Sequence, residues 1–217
     1  MGNEKIHMKY LQLGGIGGRG GVVRFFMLAN GLEYEEELYG MEDGSWTERK
    51  DSMIETGENP AGTVPLLEVD GKQVTQHVAA MRYIARVRDL TTGDAYGEFV
   101  QDAFADQYQL VRDDWVRHTF GSDEDKKKLK EEVAKGHFKV LDGLITKWQT
   151  EKIYLSLGKN GMPLWGDAAA FGIVYDHIKT GSITKEEVDA NYPKLAAIYE
   201  NFGEIPAVSQ WIADKSG

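Results

Sequence analysis

The sequence predicts an α+β chain, with short strands and helices alternating over the first ninety residues and helices alone after them. Three observations carry this. The apolar spacing switches between strand-like and helix-like up to about Leu90, a tight Asp70–Gly71 turn signal lies in that region, and no strand pattern recurs after Thr91–Thr92–Gly93. In order, His7 to Leu13 read as a strand, and Arg19 to Asn30 as a helix burying Val22, Val23, Phe25, Phe26 and Leu28, with Gly31 as its stop. Glu33 to Tyr39 read as a second strand, and Trp46 to Ile54 as a weakly amphipathic segment. Val64 to Val74 form a hairpin turning at Asp70–Gly71, and Gln76 to Arg88 a helix whose Val78, Met81, Ile84 and Ala85 face the sheet. Ala95 to Thr119 follow as one long helix, and Ser122 opens the next through a Ser-x-x-Asp capping box ending at Asp125. Later helices start near Asp167 and span Tyr192 to Asn201 and Ala207 to Asp214. The boundary expected at Leu90 to Gly93 divides the chain into 1–90 and 91–217.

Composition narrows the function. At 217 residues with 41% hydrophobic content the chain can bury a real core. It has no run of about eighteen apolar residues, and its start, MGNEKIHMKY, lacks the apolar centre of an export signal. A cytoplasmic protein with no membrane partner is expected. The formal charge of −10 argues against nucleic acid, because phosphate binding needs a concentrated basic surface. With no cysteine, any sulfur chemistry must come from a ligand. His7, His118, His137 and His177 have no metal-ligand spacing, so no metal is expected.

The run Gly14–Gly15–Ile16–Gly17–Gly18–Arg19–Gly20–Gly21 satisfies the G-x-G-x-x-G spacing of dinucleotide-binding turns at Gly15, Gly17 and Gly20. That motif requires further parallel strands reached through helical crossovers, whereas here a tight hairpin and then only helices follow. The better reading is a loop that lets a ligand approach the start of the first helix.

Strand, helix, strand, helix, hairpin, helix is the thioredoxin arrangement. Asn59–Pro60–Ala61–Gly62–Thr63–Val64–Pro65–Leu66–Leu67–Glu68–Val69–Asp70–Gly71 resembles the glutathione-site signature of glutathione S-transferases. Gln76 to Arg86 resemble the helix that follows it in that family, and Tyr192–Pro193–Lys194–Leu195 and Ile205–Pro206–Ala207–Val208 resemble its terminal helices. The likeness covers nearly the whole chain and is nearest to the sigma, mu, pi and alpha group. It implies a thioredoxin-like glutathione-binding domain, then an all-helical domain shaping a second-substrate pocket, with glutathione as cofactor.

The resemblance implies a cis Pro65, with the backbone of Val64 pairing with glutathione in β-strand fashion. Gln76 and His77 open a helix whose free N–H groups favour the γ-glutamyl carboxylate. His77 stands where the family has Ser or Thr, so an imidazole contact, charge-assisted when protonated, is expected instead. Trp46 and Lys50, one helical turn apart, resemble the pair that holds the glycyl carboxylate. Asp102 matches an aspartate that reaches the glutathione of a partner subunit, which implies a homodimer.

Alignment of Arg19 and Arg24 with the family's first-helix arginines puts Leu13 where a thiolate-binding tyrosine is expected. Stabilisation then falls to Arg19 and the N–H groups of Gly14 and Gly15, or to a displaced donor such as Tyr10 or Gln12. The second-substrate pocket is expected between Leu13 and a stripe of Tyr108, Arg112 and Trp115, although Arg112 is costly to bury unpaired. Asp167 matches the family aspartate at the start of a buried helix, with Leu164 replacing the hydroxyl residue of its capping box.

The leading expectation is a glutathione-dependent transferase acting on an electrophilic, largely apolar small molecule. The alternatives are a glutathione-dependent cis–trans isomerase of an activated alkene in a metabolic or biosynthetic pathway, and a non-catalytic protein reusing the fold for ligand carriage or interaction.

Overall fold

The computed structural model describes residues 5–215; the first four residues of the segment read for an export signal lie outside them. A four-stranded mixed sheet forms from β1 (Ile6–Leu11), β2 (Tyr34–Tyr39), β3 (Leu66–Val69) and β4 (Lys72–Thr75), in the order β2-β1-β3-β4. β1 runs parallel to β2 and antiparallel to β3, with Met8 opposite Leu67, and β3 and β4 form the expected hairpin. Asp70 and Gly71 both have positive φ, 51° and 71°, as a two-residue turn matching strand twist requires. The single parallel pair joined to an antiparallel hairpin is incompatible with a dinucleotide-binding sheet.

Three helices accompany the sheet: α1 (Gly18–Ala29), α2 (Ser45–Glu55) and α3 (His77–Val87). Val22, Val23, Phe25, Phe26 and Met27 are all fully buried, because the sheet covers one side of α1 and a later helix covers the other. Its N-terminal glycines permit close approach: a Cβ on Gly20 would lie 2.4 Å from the Tyr10 ring.

The remaining helices are α4 (Ala95–Thr119), α5 (Asp123–Lys128), α6 (Ala134–Trp148), α7 (Trp165–Lys179), α8 (Lys185–Asn191), α9 (Pro193–Gly203) and α10 (Pro206–Asp214). α4 has the expected bounds, and Ser122 and Asp125 form the expected capping box on α5. Helix α8 was not expected, although Thr184 and Glu187 carry the same reciprocal signal. A π-helical turn, Leu129–Val133, joins α5 to α6. α7 is buried from Trp165 to His177 and forms the axis against which α1, α4 and α9 pack, so the apolar core runs continuously past the 88–94 link.

α7 begins two residues before Asp167. Asp167 accepts from the amides of Leu155 (2.8 Å) and Leu164 (3.3 Å) and from Gln101 Nε2 (2.7 Å). Leu164 has no side-chain acceptor, so only half of a capping box forms, and three donors hold the buried carboxylate instead.

Candidate functional site

A cleft of about 310 Å³ lies where the start of α1 meets the hairpin and α3, lined by Arg19, Thr63, Val64, Pro65, Thr75, Gln76 and His77. It brings together five of the residues singled out from the sequence and adds the hydroxyl residues Thr63 and Thr75. The Val64–Pro65 bond is cis, and Val64 immediately precedes β3. Gln76 has φ 65° and ψ 93°, a conformation that costs a non-glycine residue about 1–3 kcal/mol and is retained where surrounding structure imposes it. Its side chain is exposed on the cleft wall, and among the described residues no side chain caps the α3 that it opens, which leaves the first amides of that helix open to a ligand.

His77 differs from expectation. It is 3% exposed, packs edge-on against Tyr108 at 5.7 Å, and its Nε2 is enclosed without a hydrogen-bond partner. Burial, with Arg112 and Arg19 nearby, pushes its pKa down to about 3. A protonated, charge-assisted contact is therefore excluded near neutral pH; the ring acts as a neutral wall.

Arg19 reaches the cleft from the first turn of α1 and pairs with Asp113 of α4. The glycine turn behind it is sealed rather than open. The Asp176 carboxylate accepts from the amides of Gly17 (2.7 Å) and Gly18 (2.9 Å) and is paired at 2.6 Å with Arg112, both side chains being fully buried. Arg112 also donates to Tyr108 Oη (3.0 Å) and the Gly172 carbonyl (3.3 Å). A protein carboxylate thus sits where a dinucleotide phosphate would lie in the rejected reading.

This network corrects two expectations. Tyr108, Arg112 and Trp115 do form one face of α4, but α4 packs against α7 and all three side chains are buried. Leu13, Gly14 and Gly15 line a separate cleft beside Trp211 and Lys215 near α10, and Leu13 Cδ1 also lies 3.1 Å from where a Gly18 Cβ would be. The reason is loop length. β1 already ends at Leu11, so counting back rigidly from Arg19 lands beyond the strand.

Tyr10, in β1, is 4% exposed and lies beneath the first turn of α1, with a Cβ on Gly18 falling 2.4 Å from its hydroxyl. Burial raises its pKa, opposed by the Gly20 amide directed at its oxygen, so the phenol keeps its proton. No group among the described residues accepts that proton in a hydrogen bond. Gln12 is exposed and belongs to the α10 cleft.

Three other expected residues stand outside the cleft lining. Trp46 is half-buried against Tyr39 at 6.5 Å; Lys50 is exposed, and its Cγ lies 3.3 Å from where a Gly62 Cβ would be. Asp102 Oδ1 accepts from Arg82 Nε (2.6 Å) and Trp165 Nε1 (2.9 Å) of its own chain. Asp176 and Asp113 were missed from sequence. An acid directly after the apolar stretch 168–175 of α7, together with the unpaired cost of Arg112, was the available signal for Asp176.

Residues 111–215 match the family model for the glutathione S-transferase C-terminal domain. That match, with the likenesses that follow, supports placing the chain in the glutathione S-transferase superfamily. It is 26% identical over 197 residues to human hematopoietic prostaglandin D synthase, covering 90% of each chain, and 27% identical over 197 residues to a glutathione S-transferase of Anopheles gambiae, covering 89% of each. Its fold is that of the Pi-class glutathione S-transferase of Onchocerca volvulus, with TM-score 0.80 at 16% identity over 98% of this chain and 94% of that one. Members of this superfamily use glutathione. Among the described residues no helix is long and apolar enough to cross a membrane.

Proposed function

We propose that this glutathione S-transferase relative binds reduced glutathione in the Arg19–Val64–Gln76 cleft and directs its thiolate at an electrophilic, largely apolar small molecule. The observation that carries the proposal is the convergence in one cleft of the Val64 backbone beside a cis proline, the strained Gln76 and the uncapped N-terminus of α3. An extended peptide pairs with such a backbone edge, and the helix N-terminus takes the γ-glutamyl carboxylate. Trp46 and Lys50 on α2 are assigned to the glycyl end. Asp102, whose second carboxylate oxygen remains free, is assigned to a partner subunit's glutathione in a homodimer.

Thiolate stabilisation is assigned to Arg19 and Tyr10, not to Gly14 and Gly15. Support comes from the lining of the clefts, since Arg19 lies in the one with Val64 and Gln76 and the two glycines in the one beside Trp211. A phenol that holds its proton and lacks an acceptor is suited to donate to sulfur. The ultraviolet thiolate absorbance of bound glutathione tests the assignment: Tyr10→Phe and Arg19→Ala should each lose it at neutral pH while glutathione still binds, and undiminished absorbance in both variants would refute it.

A second reading has its own support, in the likeness over 90% of the chain to a protein named a prostaglandin D synthase. In that reading glutathione adds to its substrate and is later eliminated, for net isomerisation. Product analysis separates the two: a stable thioether marks conjugation, and turnover without glutathione consumption marks isomerisation.

A further inference from the structure

α2 carries Trp46 and Lys50, assigned above to the glycyl end of glutathione, yet it has little apolar anchorage. Among its eleven residues, all of them described, Met53 alone is buried, whereas α3 buries six. Trp46, Arg49, Lys50 and Met53 follow the i, i+3, i+4, i+7 spacing and share one face, with Met53 near its middle. One buried side chain at the middle of a face leaves a helix free to roll about its axis, and the roll decides where Trp46 and Lys50 point.

A polar hub stops the roll. Glu58, just beyond α2, accepts at Oε2 from Arg49 Nη2 and at Oε1 from Lys9 Nζ of β1 (2.8 Å), with Gln73 Nε2 of β4 3.5 Å away. Arg49 Nε donates in turn to Tyr39 Oη (3.1 Å) at the end of β2, and the Tyr39 ring lies against Trp46. Arg49 is therefore bonded on two edges, to β2 and to a carboxylate that β1 holds. Lys9 first, and Arg49 with it, keep the Glu58 pKa below the ordinary carboxylate value against the opposing effect of burial, so the hub is ionised at neutral pH. An isolated surface bridge is worth little, but here one carboxylate serves two cations, with less than a third of each side chain exposed.

Glu58 also opens the stretch that leads to Val64. Beyond it Asn59 braces the chain on its own account: its amide donates to the Met53 carbonyl (3.1 Å), its Nδ2 to the Thr63 carbonyl (2.6 Å), and its Oδ1 accepts from the Ala61 amide (3.2 Å). Asn59 thus sets the approach to the Val64 backbone, and Glu58 the orientation of α2.

We infer that Glu58 is the positioning residue for the glycyl end: by fixing Arg49 it sets the roll of α2, and through Trp46 and Lys50 it makes the cleft select a thiol tripeptide with a C-terminal carboxylate over the dipeptide that lacks that residue. The inference rests on the glutathione reading of the cleft. Glu58 acts through α2, and because two cations share it the hub keeps a net positive charge that does not repel a carboxylate.

The test is calorimetric titration of reduced glutathione and of γ-glutamylcysteine, which differ only by the glycyl residue, into the wild type, Glu58→Gln, Arg49→Met and Lys50→Ala. The wild type should bind glutathione at least about tenfold more tightly than the dipeptide, the worth of one charge-assisted contact. Glu58→Gln and Arg49→Met should each cut that preference to about threefold or less, with dipeptide affinity held within about twofold. In a Lys50→Ala background Glu58→Gln should lower the preference by less than in the wild type, because both act on one carboxylate. General loss of structure would weaken both ligands alike. That result, or a preference intact or raised in both variants, would overturn the role of Glu58 and leave the glutathione cleft standing. Equal affinity of the wild type for the two ligands would overturn the glycyl assignment of α2 and this inference with it. Binding of neither ligand would overturn the glutathione reading itself.

Discussion

The two sides of the glycine-rich turn are built in opposite ways. On the Arg19 side, Gln76 and the first amides of α3 are left without partners around an open cleft. On the Gly17–Gly18 side, the buried ion pair is closed inside the protein: Asp176 takes both amides, Arg112 takes Asp176, and Tyr108 and Gly172 complete the network. The difference separates reserve from scaffold. Unpaired polar groups are expensive unless a ligand or water meets them, whereas the sealed network fixes the position of the turn that carries Arg19.

The comparison breaks most sharply at Asp176. Asp176→Ala strands a buried guanidinium and two amides and should cost about 3–5 kcal/mol in urea unfolding. An Arg112→Met/Asp176→Leu variant, which removes both charges, should recover more than half of that loss. Equal destabilisation by the single and double variants would show that the pair is not a closed unit.

His77 gives the next largest effect, through pH. Its pKa falls from the ordinary value near 6.5 to about 3 in the fold, so between those values the unfolded chain binds a proton that the native state does not. Stability therefore falls as pH drops below 6.5, by about 2 kcal/mol at pH 5 from this residue. His177, also buried with a lowered pKa, acts in the same direction. In urea unfolding at pH 7 and pH 5, His77→Gln should lose less stability between the two pH values than the wild type; an identical loss would contradict a buried neutral imidazole.

Gln76 sharpens the contrast with a smaller change. Gln76→Gly relieves the positive-φ strain and should stabilise the protein by about 0.5–1 kcal/mol while weakening glutathione binding. A variant that is both more stable and less able to bind would mark the strain as serving the cleft; no gain in thermal unfolding temperature would mean that the conformation is not strained.

The open side was legible because its signals are local in sequence. Val64–Pro65, the Asp70–Gly71 turn and the Gln76–His77 helix start lie within fourteen residues, and each sets its own backbone geometry. The sealed side depends on pairs 64 and 159 residues apart, Arg112–Asp176 and Gly17–Asp176. The i, i+3, i+4, i+7 spacing on α4 identifies a face without saying what covers it, which is why Tyr108, Arg112 and Trp115 read as pocket walls. Likewise nothing near His77 in the sequence announces Tyr108, the ring that helps to bury it.

Calorimetric titration of the wild type with reduced glutathione, beside S-hexylglutathione, tests the central claim most directly, with Gln76→Ala and Arg19→Ala titrated in parallel. Both ligands should bind the wild type, Gln76→Ala should weaken both by about tenfold, and Arg19→Ala should weaken free glutathione more than its thioether, since only the former presents a thiolate. No binding of either ligand by the wild type, or affinities unchanged by both substitutions, would contradict the assignment of the cleft.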